Sequence, residues 1–289
     1  MAGAGIKTIN KRIRSVRSTQ QITKAMKMVS AAKLRRAQDR LVSARPYSHK
    51  LAELLQRLAE SGDAGHPYLE RRAVHRRLVV VVTSDKGLCG AYNMNVMRVA
   101  QRAADASIAE GRPCAIYAIG RKARDYFRKR GYDVVAAHDD FAASASDDKA
   151  RRVADAVVKM FTDGEADEVL LAYAAFISTL TQRPALDTLL PVAPPAGGDD
   201  AAKAAVDYIW EPGRDALFAA LLPQYLRNRV YITLCEAFAS EHGARMTSMS
   251  AATENAGELI EALTLKRNRE RQAAITQEIS EIVGGANAL

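Results

Sequence analysis

The stretch PQYLRNRVYITLCEAFASEHGARMTSMSAATENAGELIEAL, residues 223–263, decides the fold of this 289-residue chain. After Pro223 it contains no proline, and Gly243 and Gly257 are its only glycines among good helix formers. Positions taken in steps of three and four from Phe218 are mostly apolar or small, which is typical of a coiled-coil seam. They are Phe218, Leu221, Tyr225, Asn228, Ile232, Cys235, Ala239, His242, Met246, Met249, Thr253, Ala256, Ile260 and Leu263. We therefore predict one helix of roughly 60 residues, about 90 Å long, that needs a partner along its length.

The first 60 residues carry a similar pattern and supply that partner. Apolar or small side chains recur at the same spacing near the start and again after residue 33. They are Ile6, Ile9, Ile13, Val16, Leu34, Ala37, Leu41 and Ala44. Because both terminal helices join the middle of the chain, near residues 60 and 212, we predict that they pair antiparallel.

Two features complicate the first helix. Between its two apolar groups the register falls on polar side chains, and we expect the seam to shift there onto Ile22, Met26 and Val29. The polar positions are Gln20, Thr23, Lys27 and Ser30. Proline removes a backbone donor and crowds the preceding turn, so Pro46 is expected to kink or interrupt the helix.

The seam of the last helix fails beyond Leu263, where the next positions are Arg267 and Glu270. A new apolar stripe then begins, and a tail exposed only to solvent would not be expected to carry one. The stripe consists of Ile275, Ile279, Ile282 and Val283. We interpret this segment as the part of the C-terminal helix that outlasts its partner.

The middle of the chain alternates strands and helices. Predicted strands cover 78–84, 114–119 and 133–135, and they are separated by helices ending at Gly111 and Gly131. This alternation indicates a parallel sheet with right-handed crossovers. After a helix at 147–161 come two strands at 168–176 and 182–190, which we interpret as a hairpin. A loop at 191–200 and a last strand at 205–210 complete this segment.

The predicted fold class is therefore α/β, with a long antiparallel coiled coil of the N- and C-terminal helices and a central Rossmann-like α/β domain. We place the N-terminal coiled-coil helix at 1–60, the α/β domain at 61–211 and the C-terminal helix at 212–289.

The positive charge is concentrated in the first helix. Residues 1–50 hold 13 Lys or Arg and one acid, Asp39, so their net charge is +12 and the rest of the chain carries 9 − 12 = −3. Such a helix suits nucleic acid, an anionic membrane surface or an acidic protein partner. A basic face exposed only to solvent is the plainer alternative.

No residues with a catalytic, cofactor-binding or metal-binding pattern emerge. The turn at 85–90 lies where phosphate loops occur, but it matches neither common glycine-rich pattern, and we interpret it as a tight turn. Cys89 has no histidine near it in sequence and is expected to be a packed thiol. His138, Asp139 and Asp140 lack further ligand spacing and are expected in a surface loop.

The remaining composition indicates an intracellular protein without a membrane span. The three cysteines are scattered, which is usual for a reduced compartment. No run approaches about 18 apolar residues, and the first residues lack the apolar core of a secretory signal. The absence of an evident transit peptide favours a bacterial protein, although the mature form of an organelle protein would look similar.

Four motifs, in order, resemble the gamma subunits of F-type rotary ATP synthases, and the similarity runs from about residue 3 to 289. The most specific is ITQEISEIVGGANA at 275–288, and the second is TQQITKAMKMVSAAK at 19–33. TSDKGLCG at 83–90 and NAGELI at 255–260 are the others. The similarity is weakest over residues 135–210.

The resemblance implies a non-catalytic rotor shaft that couples rotation of the c-ring to conformational cycling of the beta subunits. It implies as partners three alpha and three beta subunits, the epsilon subunit and the c-ring. It also implies a peripheral place on the cytoplasmic face of the bacterial inner membrane. By motif matching, the residues that contact the catalytic subunits are Lys24, Met26, Lys27, Arg271, Gln272, Thr276 and Glu278. Lys27 departs from the acid that many members carry there, so its partner is expected to differ. We expect no thiol regulation, because the region just before Trp210 contains no cysteine pair, and Cys89, Cys114 and Cys235 are far apart in sequence.

Two other functions compete with this interpretation. A nucleic-acid-binding coiled coil would use the basic first helix, although Tyr47 is the only aromatic residue in 1–60. A steep salt dependence of tight DNA binding would favour it. A small nucleotide-binding enzyme would use the α/β domain, and saturable binding of ATP or NAD would favour that.

Overall fold

The computed structural model describes residues 2–60, 66–139, 146–192, 211 and 213–286. The predicted strand at 205–210, most of the loop at 191–200 and Asp140 lie outside the described residues. Two very long helices enclose the α/β segment in sequence. They are α1 (Ala2–Glu60) and α5 (Arg214–Ala286).

Between them, the described residues form a short 3-10 helix, five strands and three helices. The short helix covers Pro67–Leu69. The strands are β1 (Arg77–Val82), β2 (Cys114–Ile119), β3 (Asp133–His138), β4 (Glu168–Phe176) and β5 (Gln182–Leu190). The helices are α2 (Tyr92–Ala109), α3 (Arg121–Arg128) and α4 (Asp147–Thr162).

The strands form one sheet in the order β3-β2-β1-β4-β5. The first four pair in parallel, and β5 runs antiparallel to β4. The predicted parallel sheet and the hairpin at its end are confirmed, while β3 is three residues longer than predicted. The β-branched run of β1 lies at the centre of the sheet and is almost wholly inaccessible, as expected for a strand covered on both faces.

The chain divides into two compact units, and both long helices contribute to each. The helical unit consists of Met1–Ser30 and Arg245–Leu289, and the α/β unit consists of Ala31–Ala244. This division differs from the expected one at 60 and 212, and the three-domain scheme stays a prediction.

In the helical unit, α1 and α5 pair antiparallel. Gln20 Nε2 donates to the Thr253 carbonyl at 3.4 Å, and Lys27 Nζ donates to Ser250 Oγ at 2.9 Å. As α1 advances, its partners therefore step backwards along α5. The predicted antiparallel pairing is confirmed.

α1 and α5 are also antiparallel within the α/β unit. Tyr47 Oη donates to Gln224 Oε1 at 3.2 Å, and Arg214 Nε donates to the Leu58 carbonyl at 2.9 Å. α1 continues through Pro46 without a break, so an interruption is excluded, while the alternative of a kink stays a prediction. Pro46 is exposed, so its ring protrudes into solvent and not into a packed seam.

The predicted seam of α5 is wrong between residues 221 and 232. The positions Leu221, Tyr225, Asn228 and Ile232 are only half-buried. The buried stripe instead runs in steps of four through Phe218, Leu222, Leu226, Val230 and Leu234. The reason is that α5 contacts several elements here and not only α1. Arg227 bonds Asp155 of α4 at 3.0 Å, and Arg229 bonds Asp187 of β5 at 2.6 Å. A straight helix on such a surface buries an i, i+4 ridge rather than a two-helix seam.

Candidate partner-contact surface

All seven residues predicted to contact partners lie in the helical unit, and the pairing of its helices fixes their places. Lys24, Met26 and Lys27 lie level with α5 residues around Ser250 and Thr253. The other four lie about 20 residues further along α5. At 1.5 Å per residue, the two groups are about 30 Å apart along the helix axis. The structure therefore places them in two separate patches.

The α1 patch is exposed and cationic. Lys24 and Lys27 are exposed, and Met26 is half-buried. Residues 1–30 contain seven Lys or Arg and no acid. Within the described residues Lys24 makes no ion pair, and the Lys27 ammonium reaches a hydroxyl, Ser250 Oγ. The charge is thus left available to a molecule that carries acids.

The seam beneath this patch is polar, and the expected shift onto apolar side chains is wrong. Thr23 and Ser30 are buried, whereas Ile22 and Val29 are each 57% exposed. Thr23 Oγ1 and Thr253 Oγ1 lie 2.8 Å apart in a hydrogen bond. Opposing hydroxyl groups satisfy each other, so the buried stripe of α1 continues through Thr23 and Ser30, with Gln20 and Met26 half-buried and Lys27 exposed.

The absence of a shift leaves apolar side chains on the outside of α1. Ile22, Met28 and Val29 are 57–60% exposed and lie beside the cations of the patch. Sequence reasoning placed two of them in the seam and did not consider Met28. The signal was present in the sequence, because Thr23 and Ser30 keep the spacing of Ile9, Ile13 and Leu34. Exposed apolar groups that lie close together are more typical of contact surfaces than of faces exposed only to solvent.

The second patch is the end of α5. Continuing the Thr23–Thr253 pairing residue by residue in opposite directions brings Ala2 level with Ala274. Ala274 is half-buried, and every residue from Ile275 to Gly284 is exposed. The helix continues to Ala286, so the prediction that it extends beyond its partner is confirmed, but the lone segment begins about ten residues later than the predicted point after Leu263.

The residues predicted for this patch are all on its surface. Arg271, Gln272, Thr276 and Glu278 are exposed. The apolar stripe of the tip is exposed as well, with Ile275 at 48% and Ile282 at 71%. A helix that displays both apolar and charged side chains around its end is suited to a surrounding protein surface rather than to solvent.

The turn after β1 is a structural turn, as expected. Ser84 N donates to Asn93 Oδ1 at 3.0 Å, and Asn93 Nδ2 donates to Cys89 Sγ at 3.2 Å. Cys89 is 1% exposed. Leu88 takes φ 63°, a conformation uncommon for a side chain of its size, and it is 62% exposed.

The other titratable groups that the sequence singled out are held by neighbours. Tyr117 Oη and His138 Nε2 lie 2.7 Å apart. Burial, and then the charge of Arg152, lower the pKa of His138. Asp139 pairs with Arg124. In the described part of the chain, no group of three or more His, Cys, Asp or Glu could hold a metal ion.

None of the described helices is long and apolar enough to cross a membrane. Across the described ranges, the three cysteines are free and buried. Burial raises the pKa of the Cys114 thiol to about 11, so this thiol is unreactive at neutral pH.

Comparison with known proteins identifies the class of protein that combines two long helices with an α/β unit of this kind. A family model described as ATP synthase matches residues 5–289. The chain is 49% identical over 287 residues to the ATP synthase gamma chain of Desulforamulus reducens, and the match covers 99% of both chains. It is also 49% identical over 287 residues to that of Symbiobacterium thermophilum, and this match covers 98% of both. The chain therefore belongs to the ATP synthase gamma chain family.

Solved structures share the fold at low sequence identity. A chain of the Euglena gracilis mitochondrial ATP synthase, from a structure of OSCP, F1 and c-ring, gives a TM-score of 0.68 at 21% identity. That match covers 99% of this chain and 95% of the other. A chain of the central stalk and c-ring of the Tetrahymena thermophila mitochondrial enzyme gives 0.57 at 23% identity, covering 80% and 99%.

Proposed function

We propose that this chain is the central rotor shaft of a proton-translocating ATP synthase. It couples rotation of the c-ring to the conformational cycling of the catalytic beta subunits, and it performs no ATP chemistry itself. The observation that carries the proposal is the end of α5, which continues past the start of α1 with every described side chain from Ile275 to Gly284 exposed. Membership in the gamma chain family supports the same function.

The partners follow from this function. The gamma chain assembles with three alpha and three beta subunits, the epsilon subunit and the c-ring. Solved relatives come from ATP synthase assemblies that include F1, the central stalk and the c-ring, which supports this set. Nucleic acid has no part in it.

The contact residues divide between the two patches. Arg271, Gln272, Thr276 and Glu278 contact the alpha and beta subunits around the tip of α5. Lys24, Met26 and Lys27 contact an acidic segment of a beta subunit. Their exposure and charge support this assignment. An exposed ion pair contributes up to about 1 kcal/mol, so such contacts bias the angle of the shaft without locking it.

The location follows from the same assembly. The chain belongs to a membrane-associated enzyme, and no described helix could span the membrane. We place it at the cytoplasmic face of the bacterial inner membrane, where it is peripheral through the c-ring. The high identity to bacterial gamma chains supports this placement.

A rotation experiment tests the proposal directly. The chain is combined with alpha and beta subunits, and a probe is attached through a single cysteine introduced on the exposed face of the α/β unit. We expect stepwise, unidirectional rotation of the probe when ATP is supplied, and none with ADP alone. A chain that binds neither subunit, or a probe that stays still while ATP is hydrolysed, would contradict the proposed function.

A charge variant extends the test to the α1 patch. Lys24→Gln keeps the length of the side chain nearly unchanged and removes its charge. The matched control is Lys149→Gln on α4, far from the patch in sequence. If the patch contacts an acidic segment, only the first variant changes the salt dependence of rotation.

A further inference from the structure

Within the α/β unit, α5 is most deeply buried over Ala239–Ala244, just before it leaves the unit. Every residue of this band is buried, on all sides of the helix. Elsewhere along its described length, α5 keeps an exposed or half-exposed side. A helix enclosed on every side is normally part of a core, so the band is held by more than a two-helix seam.

The band lies at the carboxyl edge of the sheet, at its topological switch point. From β1 the chain crosses to β2 on one side, and β4 lies on the other side of β1. Open α/β sheets bind their ligands in the crevice at this point. Here the segment of α5 around residues 237–244 lies at that edge, because it contacts the end of β4 and the start of α2.

The first of these contacts comes from the end of β4. Ser240 Oγ donates to the Ala174 carbonyl at 2.9 Å, and the pair is buried. On one side Ala174 faces Pro184 of β5, which has no N–H to donate. On the other side β1 has ended, because its last pair with β4 is Val81 with Ala172. Neither neighbouring strand supplies a donor, and the Ser240 hydroxyl supplies it instead.

Two further contacts lie on the same face of α5. Tyr92 Oη, at the start of α2, donates to the Ala237 carbonyl at 3.1 Å. Gly243 approaches the β4–β5 turn so closely that an added Cβ would lie 3.3 Å from the Thr179 carbonyl oxygen. Positions 237, 240 and 243–244 recur every three to four residues, so α2, β4 and the turn hold one face of the helix.

We propose that Tyr92, Ser240 and Gly243 fasten α5 to the edge of the sheet and bear the torque of rotation where α5 leaves the α/β unit. This inference rests on the proposed function. Hydrogen bonds to backbone carbonyls and a close backbone approach resist sliding and turning of the helix better than apolar packing, because both depend on direction and distance. The three residues are positioning residues, and none of them contacts nucleotide or proton.

The test uses the whole ATP synthase reconstituted in vesicles with Ser240→Ala, Tyr92→Phe or both changes. Each variant removes one hydroxyl without adding volume. The matched control is Ser43→Ala, since Ser43 Oγ bonds a carbonyl of its own helix, that of Asp39, at 2.8 Å. Three quantities are measured: hydrolysis without a proton gradient, synthesis driven by a gradient, and the angular fluctuation of a probe on the α/β unit in the stalled enzyme.

We expect larger angular fluctuation and slower gradient-driven synthesis, while hydrolysis without load stays at the control level. Loss of one hydrogen bond should raise local opening about fivefold, read as faster amide exchange over 237–244. The double variant should exceed either single change. A merely structural role would lower hydrolysis, synthesis and melting temperature together, and that result would overturn the proposal.

Unchanged fluctuation and synthesis in the double variant would overturn it as well. Such a result leaves the shaft function intact, because the wild-type enzyme in the same experiment still rotates. A wild-type chain that fails to assemble or rotate would instead contradict the proposed function itself. The two failures are therefore distinguishable.

Discussion

The helix α5 meets two opposite environments along its length. Over Ala239–Ala244 every side is buried, whereas from Ile275 to Gly284 every residue is exposed. The buried band is largely polar, with Ser240, Glu241 and His242, while the exposed tip carries large apolar side chains such as Ile279. This inverts the usual relation between polarity and burial. The comparison indicates that close contact within the chain shapes the band, and under the proposed function contact with the alpha and beta subunits shapes the tip.

The largest expected effect is on the free energy of unfolding, and it distinguishes buried positions of α5 from exposed ones. Leu226 is 1% exposed in the α/β unit, and Leu226→Ala should lower the free energy of unfolding by about 2–5 kcal/mol. The matched control, Leu265→Ala, changes a side chain that is 61% exposed and should stay within about 0.5 kcal/mol. Urea unfolding of the isolated chain measures both. Equal losses would mean that the two regions do not differ as described.

The tip should show the reverse behaviour, with little effect on stability and a large one on assembly. Ile279→Ser should leave unfolding unchanged within about 0.5 kcal/mol, since Ile279 is 56% exposed. If the alpha and beta subunits cover it, the same change should weaken assembly by about 1.5–3 kcal/mol. Titration of labelled chain with alpha and beta subunits measures this.

A truncation after Leu263 should keep the α/β unit folded and reduce torque. Unchanged torque would refute the role of the tip.

The polar seam of the helical unit offers an intermediate effect. Thr23→Val or Thr253→Val alone removes the hydrogen bond between the two helices, while the remaining hydroxyl keeps a carbonyl of its own helix, so each change should cost up to about 1 kcal/mol. The double variant removes both hydroxyls and should be nearly neutral, because two apolar isosteres then face each other. A double-mutant cycle by thermal unfolding measures the coupling. Strictly additive losses would show that the two hydroxyls do not interact.

The cationic patch should contribute little to folding. Lys24 is exposed, so Lys24→Glu should change the free energy of unfolding by less than about 0.5 kcal/mol. Its effect should appear in assembly with the beta subunits, as weaker binding at low salt that converges with wild type at high salt. Lys149→Glu on α4 is the control. A salt-independent loss would exclude an electrostatic role for Lys24.

The smallest effect concerns pH. Burial raises the pKa of Glu236 above its ordinary value, against the opposing charges of Arg229 and Arg45. The folded state then holds its proton more tightly than the unfolded state, so stability falls as pH rises above about 4.5, the ordinary value. Glu236→Gln should remove this slope, and Glu258→Gln, an exposed carboxylate on the same helix, should not. Unfolding midpoints at pH 4 and pH 7 measure the difference.

Much of the fold was predictable because periodicity reports secondary structure directly. The β-branched run at 78–82 indicated a central strand, and the alternation after it gave the parallel sheet. The stripe from Ile275 indicated a helix beyond the end of α1, and α5 does continue to Ala286. The register of α5 between 221 and 232 was not predictable, because three different elements contact that segment.

The candidate site was less accessible to sequence reasoning. Motif resemblance supplied the seven contact residues, and the structure adds that they are on the surface, with Met26 half-buried, and form two patches. The exposed Ile22 and Val29 were assigned to the seam, since an apolar side chain is normally preferred there over Thr23 or Ser30. Sequence alone does not show that Thr253 lies opposite and satisfies the hydroxyl of Thr23.

By itself, the sequence determined that two long helices flank an α/β unit and that the first helix is strongly basic. It also determined that the C-terminal helix extends beyond the end of the first. These properties depend on local spacing and composition, which can be read along the chain. Only the tertiary structure decided which face of each helix is buried and which backbone carbonyl Ser240 serves. Those outcomes depend on the groups that lie opposite in space, because a polar side chain is buried wherever a partner satisfies it and exposed wherever none does.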